Sequence, residues 1–244
     1  MTAKTQKVAL ITGASRGLGL EIARVYAREG FCLIISARGE DALSAAAREL
    51  ALHTEVLAIP GDVAIGSHAS ALVRDGLNRF GHIDVLVNNA SELGPTPMPP
   101  LETFPLDGFR AVLEVNVLAP LRLAQLVLPE MKSRGYGVII NVTSDAAMEA
   151  YPGWGGYAAS KAALEHISRT LTVELEGTGI AVFAIDPGDM DTQMHRDAEP
   201  GTDLSSLLTP DVPAPAFLRL AQRAIASGRF KALDLIAEGQ HAGA

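Results

Sequence analysis

The chain has 244 residues, 48% hydrophobic and 20% charged, with a formal net charge of −8 and an isoelectric point near 5.2. That is an ordinary globular balance, long enough for a sizeable core, and its acidity argues against a nucleic-acid partner. No run of about 18 apolar residues marks a membrane span, Met1 to Lys7 lacks the apolar stretch of a signal peptide, and one cysteine leaves no intrachain disulfide. That cysteine, Cys32, lies in an apolar run and reads as a buried, inert thiol. A cytoplasmic location is the simplest expectation.

Val8 to Ile11 is a short apolar run ending in Thr12-Gly13-Ala14-Ser15-Arg16-Gly17-Leu18-Gly19. Apolar positions at helical spacing follow it (Ile22, Val25, Tyr26), giving strand, glycine turn, helix. Strands are predicted at Phe31–Ile35, Glu55–Ile59 and Ile83–Val87, with helices at Glu40–Leu52 and Ser67–Phe80 between them. This alternation, with strands that are apolar throughout, is the pattern of a parallel sheet covered on both faces. Ser91 to Pro100 is rich in proline and reads as a loop. Leu101–Leu113 and Asn116–Arg134 read as helices, the second interrupted by Pro120 and Pro129 and stopped by Gly135 and Gly137. Val138–Val142 is a fifth strand, Ala158–Leu175 a helix and Ile180–Ile185 a sixth strand. After Pro187-Gly188 the pattern fails: residues 189–215 are polar and rich in Pro and Asp, as expected of a substrate lid. Ala216–Ala226 is helical again, Arg229–Leu235 is predicted as a last strand, and Glu238–Ala244 as a loose tail.

The glycines at 13, 17 and 19 sit between a strand and a helix. Such a turn lets backbone approach a pyrophosphate, and the helix N-terminus offers unpaired N–H groups and a positive dipole end. The next strand tests which dinucleotide fits. An acid at its end would hold a ribose 2′-hydroxyl, whereas arginine suits a 2′-phosphate. The chain reads Ile34-Ile35-Ser36-Ala37-Arg38, with no acid before Glu40. Ser36 and Arg38, with Arg16 of the turn, therefore point to NADP(H) over NAD(H).

Ser144 follows the fifth strand, and Tyr157 and Lys161 are four apart in a helical pattern, so they share a face. A hydroxyl, a phenol and an ammonium can converge there. Hydride transfer to a carbonyl needs a proton donor and an oriented substrate oxygen. Tyrosine ordinarily titrates near pH ~10, and a neighbouring ammonium favours its ionised form. The histidines at 53, 68, 82, 166 and 195 are scattered without ligand spacing, so no metal site is expected.

Taken together, Thr12-Gly13-x-x-x-Gly17-x-Gly19, Asn88-Asn89-Ala90, Ser144 and Tyr157-x-x-x-Lys161 resemble the short-chain dehydrogenase/reductase family, from about Lys7 to Thr192. The resemblance implies further roles. Asp62 and Val63 would contact adenine, and Asn88, Asn89 and Ala90 would steady the sheet beside the cofactor. Asn116 would hold a proton-relay water. Pro187, Gly188 and Thr192 would pack on the nicotinamide, and Lys161 would bond its ribose. It also implies a homodimer or homotetramer built on the two long central helices. Two departures stand out. Ser91 replaces the family's glycine, and Ser227-Gly228-Arg229-Phe230 replaces its usual C-terminal ending.

The expected fold is a single doubly wound α/β domain over residues 1–244, Rossmann-like, with a seven-stranded, mostly parallel sheet in the order 3-2-1-4-5-6-7. The expected activity is NADP(H)-dependent interconversion of a carbonyl and a secondary alcohol. Catalysis would rest on Asn116, Ser144, Tyr157 and Lys161. Ser15, Leu18 and the turn glycines would hold the cofactor. The substrate is a small molecule, contacted from Ser91–Pro100, Asp145–Trp154 and Asp189–Pro213. Two alternatives share the fold: a nucleotide-binding sensor without chemistry, and an epimerase or dehydratase.

Overall fold

A computed structural model of the chain describes residues 6–223 and 225–241. Seven strands form one sheet: β1 (Val8–Thr12), β2 (Cys32–Ala37), β3 (Val56–Pro60), β4 (Val85–Asn88), β5 (Gly137–Val142), β6 (Ile180–Asp186) and β7 (Gly228–Lys231). Their order is β3-β2-β1-β4-β5-β6-β7, and every neighbouring pair is parallel. The sheet is thus wholly parallel where a mostly parallel one was expected. Parallel strands need crossovers, and the helices that make them cover both faces.

Alternate residues of each strand feed two cores. Ala9, Ile11, Leu33 and Ile35 pack with α1 (Gly17–Arg28), α2 (Glu40–Leu50) and α8 (Ala214–Ala221). Val8, Leu10 and Ile34 pack with α3 (Gly66–Phe80) and α5 (Ala119–Arg134). On the first face the Tyr26 ring stacks on Phe31 at 4.8 Å, and its buried hydroxyl donates to the Phe217 carbonyl at 2.9 Å. That bond ties α1 to α8.

The helix expected over Leu101–Leu113 is broken. Leu101–Thr103 forms one 3-10 turn, Phe104 and Pro105 are extended, and α4 runs from Leu106 to Leu113. α4 then continues through a π-helical turn, Glu114–Leu118, into α5, making one helix of 29 residues. By length and composition this helix could cross a membrane, yet half of its most apolar window is buried in the protein. Leu123, Ala124, Val127 and Met131 belong to the second core, so its apolar face serves the sheet. Tyr157 and Lys161 lie on α6 (Gly155–Glu174), which starts three residues earlier than expected.

The C-terminal readings need correction. β7 stops at Lys231, and α9 (Ala232–His241) replaces both the rest of the expected strand and the start of the loose tail. Ala232, Leu235 and Ile236 recur at helical spacing; Ala232 and Leu235 are buried. α8 ends at Ala221, and the chain turns through Arg223 at φ +57°. Ala224, residues 242–244 of the tail, and most of the Met1 to Lys7 segment lie outside the described residues. Residues 189–215 are not without structure: α7 (Gln193–Ala198) is capped by the Thr192 hydroxyl, and Met190 bridges to Leu208.

Strand order reverses between β1 and β4, and the loops after both open on the carboxyl edge, where such sheets bind ligands. Tyr26→Phe would remove the bond between Tyr26 and the Phe217 carbonyl. The variant should lose about 0.5–1.5 kcal/mol of unfolding free energy in urea titration while keeping its far-UV circular dichroism.

Candidate active site

The glycine turn closes on the end of β4. Gly13 and Gly17 have φ of +67° and +55°, backbone that favours glycine. Gly19 is needed for space: a Cβ there would lie 2.3 Å from the Gly13 carbonyl oxygen and 2.5 Å from Asn89 Nδ2. Asn89 Nδ2 donates to the carbonyls of Thr12 (2.9 Å) and Gly13 (3.2 Å). Thr12 Oγ1 accepts from the backbone N–H groups of Asn89 (3.1 Å) and Ala90 (3.0 Å). Asn88 donates to Asn141 Oδ1 at 2.8 Å, extending the lock to β5.

A cavity of about 870 Å³ runs along this edge. One end is lined by Arg38, Asp62 and Val63, and the middle by Gly13, Ser15, Arg16, Gly17, Leu18, Gly19, Asn89 and Ala90. The other end is lined by Ser144, Tyr157, Lys161, Pro187, Gly188 and Thr192. Strung along the strand ends from β3 to β6, this lining suits a dinucleotide, with bare glycine backbone and the N-terminus of α1 between the two ends. Arg16 precedes that helix, exposed and without an ion pair among the described residues. Arg38 is also exposed, its Nη1 3.3 Å from Glu92 Oε2.

Two expected residues do not reach the cavity. Ser36 shares the face of Ile34 toward α3, is fully buried, and has its Oγ 2.8 Å from His68 Nε2. Strand alternation therefore turns it away from any 2′-phosphate. Asn116 is fully buried in the π-helical turn. Its Nδ2 donates to the Glu92 carbonyl and to Ser160 Oγ, both at 2.9 Å. Its Oδ1 accepts from Glu92 N (2.8 Å) and Ser91 Oγ (3.2 Å). Both donors and both acceptor positions of the amide are filled, so the side chain has no place for a relay water. It clamps the loop after β4 to α6 instead.

At the reactive end, Ser144 Oγ donates to Asp145 Oδ1 at 2.9 Å and accepts from Ala146 N at 3.1 Å. Lys161 is buried, donates to the Val142 carbonyl at 2.9 Å, and lies 5.4 Å from the centre of the Tyr157 ring. Burial pushes its amine down to about 7. Burial pushes the Tyr157 phenol up, hydrogen bonding with Ser91 and Ser144 pulls it back, and the charges of Asp186 and Asp145 add to the rise. In the protein alone burial outweighs the lowering expected from Lys161, and the phenol stands above its ordinary value. The amine is held on a carbonyl, and burial favours the neutral form of both groups.

Residues of the segments expected to contact substrate take up places here. Ser91, which replaces the family's glycine, places a third hydroxyl at Tyr157. Its backbone is unstrained, since Arg223 is the one non-glycine residue with positive φ among those described. Asp145 accepts from the Tyr151 hydroxyl at 2.8 Å as well as from Ser144. Burial works to raise its carboxyl, and these bonds with the Ala146 amide leave it below the usual carboxylate range. The Trp154 ring meets Tyr157 edge-on at 5.7 Å and His195 at 6.2 Å, walling the cleft beside the phenol. No group of three metal-ligating side chains occurs among the described residues.

Comparison with known proteins agrees with this geometry. The sequence profile described as short chain dehydrogenase matches residues 7–203. The 7alpha-hydroxysteroid dehydrogenase of Escherichia coli K12 is 36% identical over 207 residues, 84% of this chain and 76% of that protein. An alcohol dehydrogenase from the archaeon Thermococcus sibiricus, complexed with 5-hydroxy-NADP, is 33% identical with a TM-score of 0.83 over 93% of this chain and 95% of that one. A 7 alpha-hydroxysteroid dehydrogenase complexed with NADH and 7-oxo glycochenodeoxycholic acid is 32% identical, with a TM-score of 0.84 over 93% of each chain. By sequence and by fold, the chain belongs to the short-chain dehydrogenase family of oxidoreductases.

Proposed function

We propose that the protein interconverts a carbonyl and a secondary alcohol with NADP(H) as its preferred cofactor, Tyr157 acting as general acid and base. The observation that carries this reading is the grouping of Tyr157, Ser144, Ser91 and Lys161 at one end of a cavity whose other end carries Arg38. Bound along that cavity, the nicotinamide would supply or accept the hydride. Ser144 and Ser91 would hold the substrate oxygen against the phenol, and Tyr157 would give it a proton. Lys161, one helical turn along, would carry positive charge to the phenolate that results. Residues 189–215, which bring Met190, Met194 and His195 to the cavity wall, would cover the substrate.

The preference for the 2′-phosphorylated cofactor is supported by Arg38 and Arg16 and by the absence of an acid at the end of β2. Relatives divide on this point, one being complexed with 5-hydroxy-NADP and another with NADH. Arg38 favours NADP(H) in this reading because a guanidinium suits a phosphate in charge and shape.

A panel of ketones should drive net NADPH oxidation. Binding without turnover would indicate a sensor, and product without net cofactor change an epimerase or dehydratase. Tyr157→Phe should lower kcat by about 10²–10⁴-fold, the usual worth of a general acid, with the cofactor dissociation constant unchanged. Near-normal turnover in that variant would refute the role of Tyr157. Arg38→Ala should raise KM for NADPH by about tenfold or more, the loss of a charge-assisted hydrogen bond, with little effect on NADH. Ser36→Ala, which alters a buried residue, should leave the ratio of the two cofactors alone; a wild-type kcat/KM favouring NADH would overturn the assignment.

Lys161 gives a stability test independent of substrate. Its ordinary value is 10.5 and its buried value about 7, so between those pH values the folded protein binds fewer protons than the unfolded chain. Stability therefore rises with pH across that window, and the full penalty of the buried charge acts below it. Without cofactor, Lys161→Met should melt above wild type at pH 6–7, with the margin narrowing toward pH 10. A margin constant over that range would contradict the burial of the charge.

A further inference from the structure

The atypical C-terminal segment places Arg229 of β7 beneath the reactive end. Arg229 pairs with Ala184 of β6, and its side chain reaches three elements at once. Nε donates to Glu165 Oε1 of α6 at 2.8 Å. Nη2 lies 3.4 Å from Asp186 Oδ2 at the end of β6 and 3.4 Å from the main-chain oxygen of Ser144 after β5. Each partner adjoins the cleft. Glu165 Oε1 also accepts from Thr143 Oγ1 at 2.7 Å, next to Ser144, and Glu165 stands one helical turn beyond Lys161. Asp186 Oδ1 accepts from Gly188 N at 3.0 Å, which fixes the turn in the cavity wall.

The charges make the clamp necessary. Glu165 and Asp186 are both nearly fully buried, and buried carboxylates need a cation with good geometry. Burial raises the carboxyl of Asp186, the Gly188 amide and Arg229 hold it down, and Asp145 and Lys231 act on it from either sign. The charge of Asp186 in turn weighs on Tyr157.

We propose that Arg229 is a positioning residue: it locks Ser144 and the Asp186–Gly188 turn against α6, and so sets the spacing between the substrate-oxygen donors and the wall opposite. This rests on the carbonyl-reduction reading of the same site. A displacement of about 1 Å in such a constellation costs up to about 100-fold in rate.

The test uses full-length wild type, Arg229→Met, Arg229→Lys and Phe230→Leu, the last weakening β7 packing without touching the clamp. Rates are taken per NADPH-binding site, titrated by the fluorescence of Trp154, the chain's single tryptophan. Arg229→Met should lower kcat for a ketone by about 10–100-fold with the ketone KM changed far less, Arg229→Lys should recover part of the loss, and Phe230→Leu should keep kcat near wild type. Equal losses in Arg229→Met and Phe230→Leu, or normal kcat in Arg229→Met, would overturn the proposal. If wild type turns over no ketone, the functional reading fails separately. NADPH affinity then decides: weakening in Arg229→Met, with recovery in Arg229→Lys and none lost in Phe230→Leu, supports the clamp, and unchanged affinity rejects it.

Discussion

Everything at the cleft depends on the close approach of the glycine turn to the end of β4. The two strands belong to the two windings of the sheet, which run in opposite directions from the β1–β4 junction. β1 and β4 pair as far as Ile11 and Val87, and beyond that register the two chain segments need a further tie. Asn89 provides it by donating to two carbonyls of the turn, and Thr12 answers by accepting from two amides beyond β4. The lock works only if α1 can start directly above it, and a Cβ at position 19 would fall inside the van der Waals shell of both groups. A single missing methyl group thus decides where the helix N-terminus stands.

A second constraint runs inside the sheet from β4 to α6. Asn88 donates to Asn141, Asn141 to Ser168, and Asn116 to Ser160, all at 2.8–2.9 Å. Thr143 donates to Glu165 on the same helix. Buried polar groups are costly when unpaired and specific when paired, because each partner is satisfied in one register only. α6 carries Tyr157 and Lys161, so its rotation and height decide where the phenol points. Apolar packing alone would tolerate sliding; this ladder of amides, hydroxyls and a carboxylate does not.

What the sequence disclosed and what it withheld follow the same division. The strands were legible because burial on both faces demands unbroken apolar runs, and the pairing of Tyr157 with Lys161 because helical spacing is local. Ser36 was misread because its side of β2 depends on which face meets α3. The Asn116 side chain could not be foreseen as a structural tie, since its four partners come from Ser91, Glu92 and Ser160. The clamp of Arg229 spans 64 residues to Glu165 and 85 to Ser144, beyond the reach of any periodicity. α9 was taken for strand because a short apolar run shows both periods equally well until its burial is known.

Burial also sets the chemical character of the reactive end. It drives both the phenol of Tyr157 and the amine of Lys161 toward their uncharged forms, one up and the other down to about 7. A neutral phenol is the proton donor that carbonyl reduction requires, so under the proposed reading the protein alone is set for reduction at neutral pH. The reverse direction needs a phenolate, and the carboxylates of Asp186 and Asp145 oppose it. Asp186 is offset by Arg229 and Lys231, whereas the bonds from Ser144, Tyr151 and Ala146 keep Asp145 ionised. The cations beside Asp186 are therefore a further condition of acid–base work at Tyr157, along with the lysine beside it. That places the last strand of the chain, far from the motif in sequence, within the electrostatics of the site.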